Sequence, residues 1–284
     1  MKMNKYVFWG MTKSTLIHVF LLSVALTCLF PLFWMVRCAF MSNGTIFIDK
    51  ALIPHQLNLG NFAIAWTKGN FAVYLFNSIV YTVCVVGGIV IISSLAAFSF
   101  SRLSFPGKDI IFYLFIAAMM IPMPGSFVAL FVLMNKLHLI NTRLGYILCM
   151  INVGLSMSIL LLKTFFDRMP HDLEDAARID GCSKIGIWWH VALPMARPAL
   201  AVVVIFNSLN VWNEYILATL LLGDSQLMPL QRGIMVFQGA NSTDYPVLMA
   251  GLTMAVIPII LIYIAMQKYI VKGLTSASGE VVGL

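Results

Sequence analysis

The segment LEDAARIDGCSKIGIWWHVALP, residues Leu173–Pro194, is a polar insertion in a strongly hydrophobic chain. Of the 284 residues, 61% are hydrophobic and only 10% are charged, whereas average globular chains are about a quarter charged. The chain has 18 basic and 11 acidic side chains, and residues 163–197 hold ten of these 29. This concentration predicts a structured polar element rather than a short connector.

The composition favours an integral membrane protein, because lipid is the natural solvent for the excess of apolar residues. The net charge of +7 then bears on orientation in the membrane, and no run of five or more basic residues supports nucleic-acid binding. The five cysteines lack metal-site spacing, and most lie in apolar runs, where Cys packs as a small hydrophobe. We therefore expect contact with membrane lipid, no nucleic-acid partner and no metal site.

Six stretches approach the roughly 20 apolar residues that a membrane-crossing helix requires. No charged residue interrupts the chain between Lys68 and Arg102, and Pro122, Pro124 and Gly125 predict a break within the third stretch. The sequence therefore predicts an all-α integral membrane protein with six transmembrane helices. The expected spans are residues 16–36, 75–100, 110–133, 144–162, 198–222 and 248–266.

Lys and Arg residues between the spans predict the orientation, since cytoplasmic segments carry the excess of these residues. With the N-terminus inside, twelve fall in cytoplasmic segments and six in external ones. We therefore expect both termini in the cytoplasm, with residues 37–70 and 223–245 outside and 163–197 inside. The expected domains are a cytoplasmic N-terminus at 1–14, the first span with its outer loop at 15–71, a five-span core at 72–270 and a cytoplasmic tail at 271–284.

The 163–197 segment is predicted to contain a helix–turn–helix that docks onto another protein. Ala176 and Ala177 carry almost no side chain, so a partner surface can approach the helix backbone closely. Glu174 and Arg178, four residues apart, can pair on one face of the first helix. Gly181 then permits a sharp backbone turn, and a second helix follows.

The spacing within this segment resembles a cytoplasmic loop in the membrane subunits of ATP-driven bacterial importers. That loop has the pattern Glu-Ala-Ala, three residues, Gly, nine residues, Ile, one residue, Leu-Pro. Here Asp175-Ala176-Ala177, Gly181 and Val191-Ala192-Leu193-Pro194 keep every interval, with Asp for Glu and Val for Ile. The stretches NSIVYT, AAFSFSRLSFPGKD, VWNEYILATLLL and QKYIVKGLT also resemble the carbohydrate-importer branch of the maltose-permease type.

The resemblance implies a permease of the type I ABC importer fold in the bacterial inner membrane, which forms a sugar pathway with a second, different permease subunit. Two ATPase subunits would bind ATP and Mg²⁺, so this chain would be non-catalytic and bind no cofactor itself. An extracytoplasmic binding protein would deliver the sugar. The 163–197 segment would dock onto an ATPase subunit and couple hydrolysis to movement of the spans. The coupling residues would be Glu174, Asp175, Ala176, Ala177, Asp180, Gly181, Leu193 and Pro194.

A group of polar and aromatic residues in the spans is a candidate for the substrate path. Glu214 is the only acid well inside an apolar run, and ionisable residues in spans usually face a wet cavity or a partner. The neighbouring aromatic residues could stack on a sugar ring, but they could equally anchor at the membrane interface beside a snorkelling acid. Asn77 in the second span is similarly ambiguous. The candidate residues are Asn77, Trp212, Asn213, Glu214 and Tyr215.

The external segment 223–245 occupies the position of the loop that contacts the binding protein in the maltose importer. Its candidate contact residues are Gln231, Arg232, Gln238 and Asn241. A solvated loop without a partner is the alternative interpretation.

Two other functions fit parts of the sequence. An ion-coupled secondary transporter usually has intramembrane acids and an internal repeat. This chain has one such acid, no evident repeat and a docking loop that a lone carrier does not need. A membrane scaffold without transport function would explain the loop. It would not explain why the spans are interrupted and contain polar residues. The chain has no Gly-x-x-x-x-Gly-Lys-Ser/Thr phosphate-binding pattern, so any ATP hydrolysis must come from a partner.

Overall fold

The computed structural model describes residues 5–55, 57–120, 123–238 and 243–277. Within these ranges the chain is almost entirely helical, and no strand is present beyond one isolated bridge between Gln238 and Thr243. The all-α prediction is therefore confirmed. The helices are α1 (Lys5–Ala39), α2 (Gly60–Lys68), α3 (Phe71–Arg102), α4 (Lys108–Met119), α5 (Met123–Lys136), α6 (Arg143–Asp167), α7 (Asp172–Ile179), α8 (Lys184–Ile187), α9 (Leu193–Met195), α10 (Arg197–Asn213), α11 (Ile216–Leu221), α12 (Leu230–Ile234) and α13 (Tyr245–Ala277).

Four helices in the described ranges are long and apolar enough to cross a membrane. They coincide with the first, second, fourth and sixth predicted spans. A helix bonds its backbone N–H and C=O groups internally, as lipid requires of a spanning segment. The first and last of the four each contain a proline without an N–H, Pro31 and Pro258. The four stretches are Ser14–Ala39, Phe71–Arg102, Arg143–Asp167 and Tyr245–Ile264.

The other two predicted spans are each divided into two helices. The third consists of α4 and α5, of 12 and 14 residues, each shorter than the roughly 20 residues that a single crossing requires. The predicted break at Pro122 falls on residues 121–122, which lie outside the described ranges. The fifth consists of α10 and α11, which are separated at Glu214 and Tyr215.

A sharp bend precedes α10. The helical stretch Lys184–Met195 meets α10 at an angle of 79°, and a π-helical turn over Trp188–Ala192 lies just before Pro194. Proline has no N–H, and its ring clashes with the carbonyl four residues earlier, here that of His190, so the preceding turn widens. The 163–197 segment therefore ends in a helix whose direction differs strongly from that of α10.

The described part of the chain divides into two compact units. Unit 1 contains the residues up to Gly69 together with Ile234–Met254. Unit 2 contains Asn70–Gly233 together with the residues from Ala255 onward. The polar 163–197 segment and the break at the end of α10 both belong to unit 2.

Buried side chains organise the residues that follow α1 in unit 1. The Arg37 guanidinium donates to the backbone oxygens of Asp49 at 2.8 Å and Ala51 at 2.6 Å. Asn61 in α2 donates to the carbonyl of Ala39, the last residue of α1, at 2.8 Å. These bonds give the buried polar side chains of Arg37 and Asn61 hydrogen-bond partners. The predicted outer loop is therefore a folded structure.

The core of unit 2 is the packing of α3 against α6. Tyr81 and Tyr146, both fully buried, lie with their ring centres 4.7 Å apart. Gly154 allows close approach in this core, because a Cβ atom there would lie 2.3 Å from Oδ1 of Asn207 and 2.4 Å from Cδ1 of Ile89. Small residues are common where helices of membrane proteins touch, because helices in lipid associate through close packing and not through the hydrophobic effect.

We expect Gly154→Ala to destabilise the chain. Asn207 cannot move away from the added methyl group without disturbing its bond to Ser158, which is 3.0 Å long. Overpacking of this kind typically costs about 1–3 kcal/mol. Gly87→Ala, at a position in α3 where a Cβ atom meets nothing within 4 Å, is the control. Thermal unfolding in detergent measures the difference, and equal melting temperatures would contradict close packing at Gly154.

Candidate functional site

Local sequence builds the two-helix part of the 163–197 segment. α7 carries three acids in its first turn, where negative charge suits the helix N-terminus. Gly181 follows with φ of +83°, a left-handed conformation that glycine adopts without strain. The Ser183 hydroxyl then accepts a hydrogen bond from the N–H of Gly186 at 3.1 Å and caps α8. The predicted helix–turn–helix is therefore present.

The exposed surface of this segment carries most of the predicted coupling residues. Three large apolar side chains of the same segment are also open, since Ile179 is 86%, Ile185 70% and Trp189 58% exposed. Exposed apolar side chains in this number indicate a surface that another molecule covers. Leu193 is half-buried, and the exposed predicted residues are Asp175, Ala176, Asp180, Gly181 and Pro194.

Two predicted coupling residues do not lie on that surface. Ala177 is 8% exposed and packs in the hydrophobic core of unit 2, and Glu174 is 3% exposed. A helix turns by about 100° per residue, so positions 174 and 177 share one face while 175, 176 and 179 lie on the other. The structure thus corrects the prediction that Ala177 presents its backbone to a partner.

Glu174 has a close partner that the sequence analysis missed. Its carboxylate oxygen Oε1 lies 2.9 Å from Nε of Arg102, the last residue of α3, and both side chains are almost inaccessible. The expected partner, Arg178, lies 4.0 Å from Glu174 and closer, at 3.2 Å, to Asp175. In the sequence, Arg102 is distinguished only by being the charged residue that ends a long apolar stretch.

An acidic side chain caps the break between α10 and α11. The Glu214 carboxylate accepts hydrogen bonds from the backbone N–H groups of Leu217 at 2.6 Å and Ala218 at 3.0 Å. Tyr146 in α6 donates its hydroxyl to the same carboxylate at 3.3 Å. Glu214 thus satisfies free N–H groups in the first turn of α11, where the helix dipole also favours a negative charge.

An open groove of about 700 Å³ lies beside this break. Three of the five predicted path residues, Asn213, Glu214 and Tyr215, line it. The walls combine aromatic and aliphatic surface with side-chain amides, a combination that suits a solute with both apolar and hydrogen-bonding groups. The remaining lining residues are Phe206, Leu209, Asn210 and Ile216.

The other two predicted path residues are buried in unit 2. Trp212 is 3% exposed, and its indole N–H donates to the carbonyl of Ala255 at 3.3 Å. Asn77 is fully buried and donates to the backbone oxygens of Gln226 at 2.8 Å and Met228 at 3.0 Å. The structure therefore gives both residues a role in holding the fold, and neither lines the groove.

Asn77 belongs to a cluster on α3 that fixes the chain just before α12. Tyr81 donates its hydroxyl to the carbonyl of Leu227 at 2.7 Å. The Ser78 hydroxyl accepts from the N–H of Leu230 at 2.8 Å. Because buried backbone groups need such partners, these bonds attach the start of α12 firmly to α3.

Three of the four predicted binding-protein contacts lie within the described ranges. Gln231 and Arg232 are in α12 and half-buried, and Gln238 is exposed. Asn241 lies outside the described residues. No group of three or more His, Cys, Asp or Glu residues that could hold a metal ion occurs in the described part of the chain.

Known proteins are similar to this chain in sequence and in fold. A family model described as "binding-protein-dependent transport system inner membrane component" matches residues 88–276. The chain belongs to this family. The permease is 31% identical over 255 residues to the diacetylchitobiose uptake system permease protein NgcG of Streptomyces coelicolor, with 89% of this chain and 84% of that one covered. It is 31% identical over 269 residues to the trehalose/maltose transport system permease protein MalG of Thermococcus litoralis, with 94% and 96% covered.

The fold of the permease matches that of a solved importer. A crystal structure of a bacterial ABC transporter involved in the import of the acidic polysaccharide alginate contains a chain that superposes with a TM-score of 0.78 at 24% identity. The superposition covers 95% of this chain and 99% of that one. The predicted ABC importer permease fold and multi-pass membrane location are confirmed, whereas an ion-coupled carrier receives no support from these similarities.

We expect Glu214→Ala to destabilise the permease, because two backbone N–H groups at the start of α11 lose their acceptor. Loss of a helix cap costs about 1–2 kcal/mol. Tyr146→Phe should have a smaller effect, since it removes a single bond of 3.3 Å and leaves the cap in place. Thermal unfolding in detergent compares both variants with Asn213→Ala in the same groove. A Glu214→Ala variant as stable as Asn213→Ala would contradict the capping role.

Proposed function

We propose that this permease is the membrane-spanning subunit of an ATP-driven importer of sugars, which receives its solute from an extracytoplasmic binding protein. The two relatives described above are named for the uptake of diacetylchitobiose and of trehalose or maltose, and the similarity extends over most of their length. We assign the same class of solute, short oligosaccharides, to this chain. A second, different permease subunit completes the pathway.

The exposed turn of the 163–197 segment is the observation that supports coupling to an ATPase. Ala176 has only a methyl group and Gly181 has no side chain, so a partner can reach the backbone at both positions. Ile179 and Ile185 add exposed apolar area beside them. Asp175 offers a charged contact on the exposed face of α7. We infer that this segment docks onto one of two ATPase subunits on the cytoplasmic side, where the basic residues of the sequence are concentrated.

ATP and Mg²⁺ then bind on the ATPase subunits, and this chain is a non-catalytic part of the pump. Its sequence has no P-loop pattern that could hold the phosphates. Closure of the ATPase pair around ATP would displace the docked segment, so that nucleotide favours one of two arrangements of the spans. In this proposal the permease supplies the path and the mechanical connection, while its partners hydrolyse ATP.

The groove beside Glu214 is the proposed contact of this chain with the solute. Sugars present both apolar C–H faces and hydroxyl groups, and binding pockets meet such ligands with aromatic surface and a few placed polar groups. Tyr215 and Phe206 offer the aromatic surface, and Asn210 and Asn213 offer amides. Glu214 shapes the groove through its bonds to α11.

The binding protein is proposed to contact α12 and the residues after it. Gln231, Arg232, Gln238 and Asn241 supply polar groups for this contact. The bonds that attach the chain before α12 to Tyr81 would give the binding protein a firm surface on which to dock.

Reconstituted vesicles test the proposed function. Vesicles with this permease, its partner permease and the ATPase subunits should take up the labelled sugar bound by the cognate binding protein only when ATP is present. Omission of the ATPase subunits should abolish uptake. Uptake that a sodium or proton gradient drives without the ATPase subunits would overturn the proposal in favour of an ion-coupled carrier. A cognate binding protein that binds no sugar would overturn the assigned solute class.

We expect Ala176→Trp to prevent docking of the ATPase subunits, because the indole would occupy the space above an exposed alanine. Co-purification of the ATPase subunits should fall by about tenfold or more, the size expected when a central interface contact is disrupted. Ala72→Trp, the same change at an exposed alanine of α3, is the matched control and should co-purify normally. Normal co-purification of Ala176→Trp, at an unchanged level in the membrane, would argue against docking at this face.

A further inference from the structure

A buried arginine joins the end of α3 to the 163–197 segment. Arg102 is the last residue of α3, a helix of 32 residues that is long and apolar enough to cross the membrane. Its side chain is 2% exposed. A charged side chain this deeply buried requires hydrogen-bond partners and an opposite charge nearby.

The partners of Arg102 come from the end of α6 and from α7. Nη2 donates to the carbonyl oxygens of Phe166 and Met169, and Nη1 lies 3.0 Å from the ring nitrogens of His171. Nε lies 2.9 Å from Oε1 of Glu174, an ion pair without hydrogen-bond geometry. One guanidinium therefore bonds the last turn of α6, at Phe166, and the residue Met169 just beyond it, and also contacts α7.

The face of α7 that Arg102 holds lies opposite the face that is proposed to dock. Glu174 and Ala177 form the buried face, whereas Asp175, Ala176 and Ile179 are exposed. The contact between the Glu174 carboxylate and the Arg102 guanidinium therefore connects the helix that carries the exposed face to α3.

A second polar contact attaches the end of α3 to α6. Ser101 donates to one carboxylate oxygen of Asp167 at 2.7 Å, and Lys163 donates to the other at 2.8 Å. Asp167 thus connects the last turns of α3 and α6, and Arg102 extends this connection to α7. The three helices are joined at the same end of unit 2.

Stability alone does not explain why an ion pair occupies this buried position. Replacement of a buried ion pair by packed apolar side chains is often neutral or stabilising. Arginine differs from an apolar side chain because its planar guanidinium donates to several partners in fixed directions. On the basis of the proposed function, we propose that Arg102 is the positioning residue that passes a displacement of docked α7 to the second span, α3.

The complete reconstituted importer tests this proposal through the ratio of sugar transported to ATP hydrolysed. Arg102→Gln should retain ATP hydrolysis stimulated by the loaded binding protein but lower the ratio about tenfold, within the range usual for coupling between sites. Arg102→Lys keeps the positive charge but not the planar guanidinium, and should lower the ratio less than Arg102→Gln does. Lys108→Gln, which removes another basic residue near the same end of α3, is the control and should leave the ratio unchanged.

A double substitution separates transmission from folding. Arg102→Met combined with Glu174→Met replaces the two charges by apolar side chains. The double variant should assemble with the ATPase subunits yet show the low ratio of Arg102→Gln. A wild-type ratio in either assembled variant would overturn the proposal, as would failure of both to assemble, since the pair would then serve folding alone. Absence of ATP-driven uptake by the wild-type importer would instead contradict the proposed function itself.

Discussion

Backbone groups that are freed at a helix end have to find partners, and this constraint shapes the permease at three of its helix ends. Glu214 accepts from the first turn of α11, Arg102 donates to a carbonyl in the last turn of α6, and Asn61 donates to the last carbonyl of α1. Arg102 and Asn61 each come from a different helix than the one they cap. The side chains that complete the helices are therefore also the ones that connect elements distant in the sequence.

Most of the helical framework was predictable, because a spanning segment needs a long apolar run and little else can produce one. Four predicted spans are single helices of the expected type. The division of the fifth span at Glu214 and Tyr215 was not predicted, although the acid itself was singled out. Its carboxylate bonds to the backbone three and four residues later, and such a local alternative to helix continuation has no clear signature in hydropathy.

The site residues were harder to predict, since residue type does not determine which face of a helix is covered. Ala176 and Ala177 are equivalent in the sequence, yet one is exposed and the other packs in the core. Asn77 and Trp212 were equally plausible as path residues, but their polar atoms bond to backbone carbonyls contributed by distant parts of the chain. Partners of that kind become visible only when the three-dimensional neighbours are known.

The bend before α10 has a mechanical consequence. α10 begins at Arg197, directly after the 79° turn, and its 17 residues end beside the groove at Glu214. At about 1.5 Å per residue it is a lever arm of roughly 25 Å, so a tilt of about 5° at its base sweeps the far end through about 2 Å. A small tilt at the base would therefore displace most strongly the last turns of α10, which carry four of the residues that line the groove.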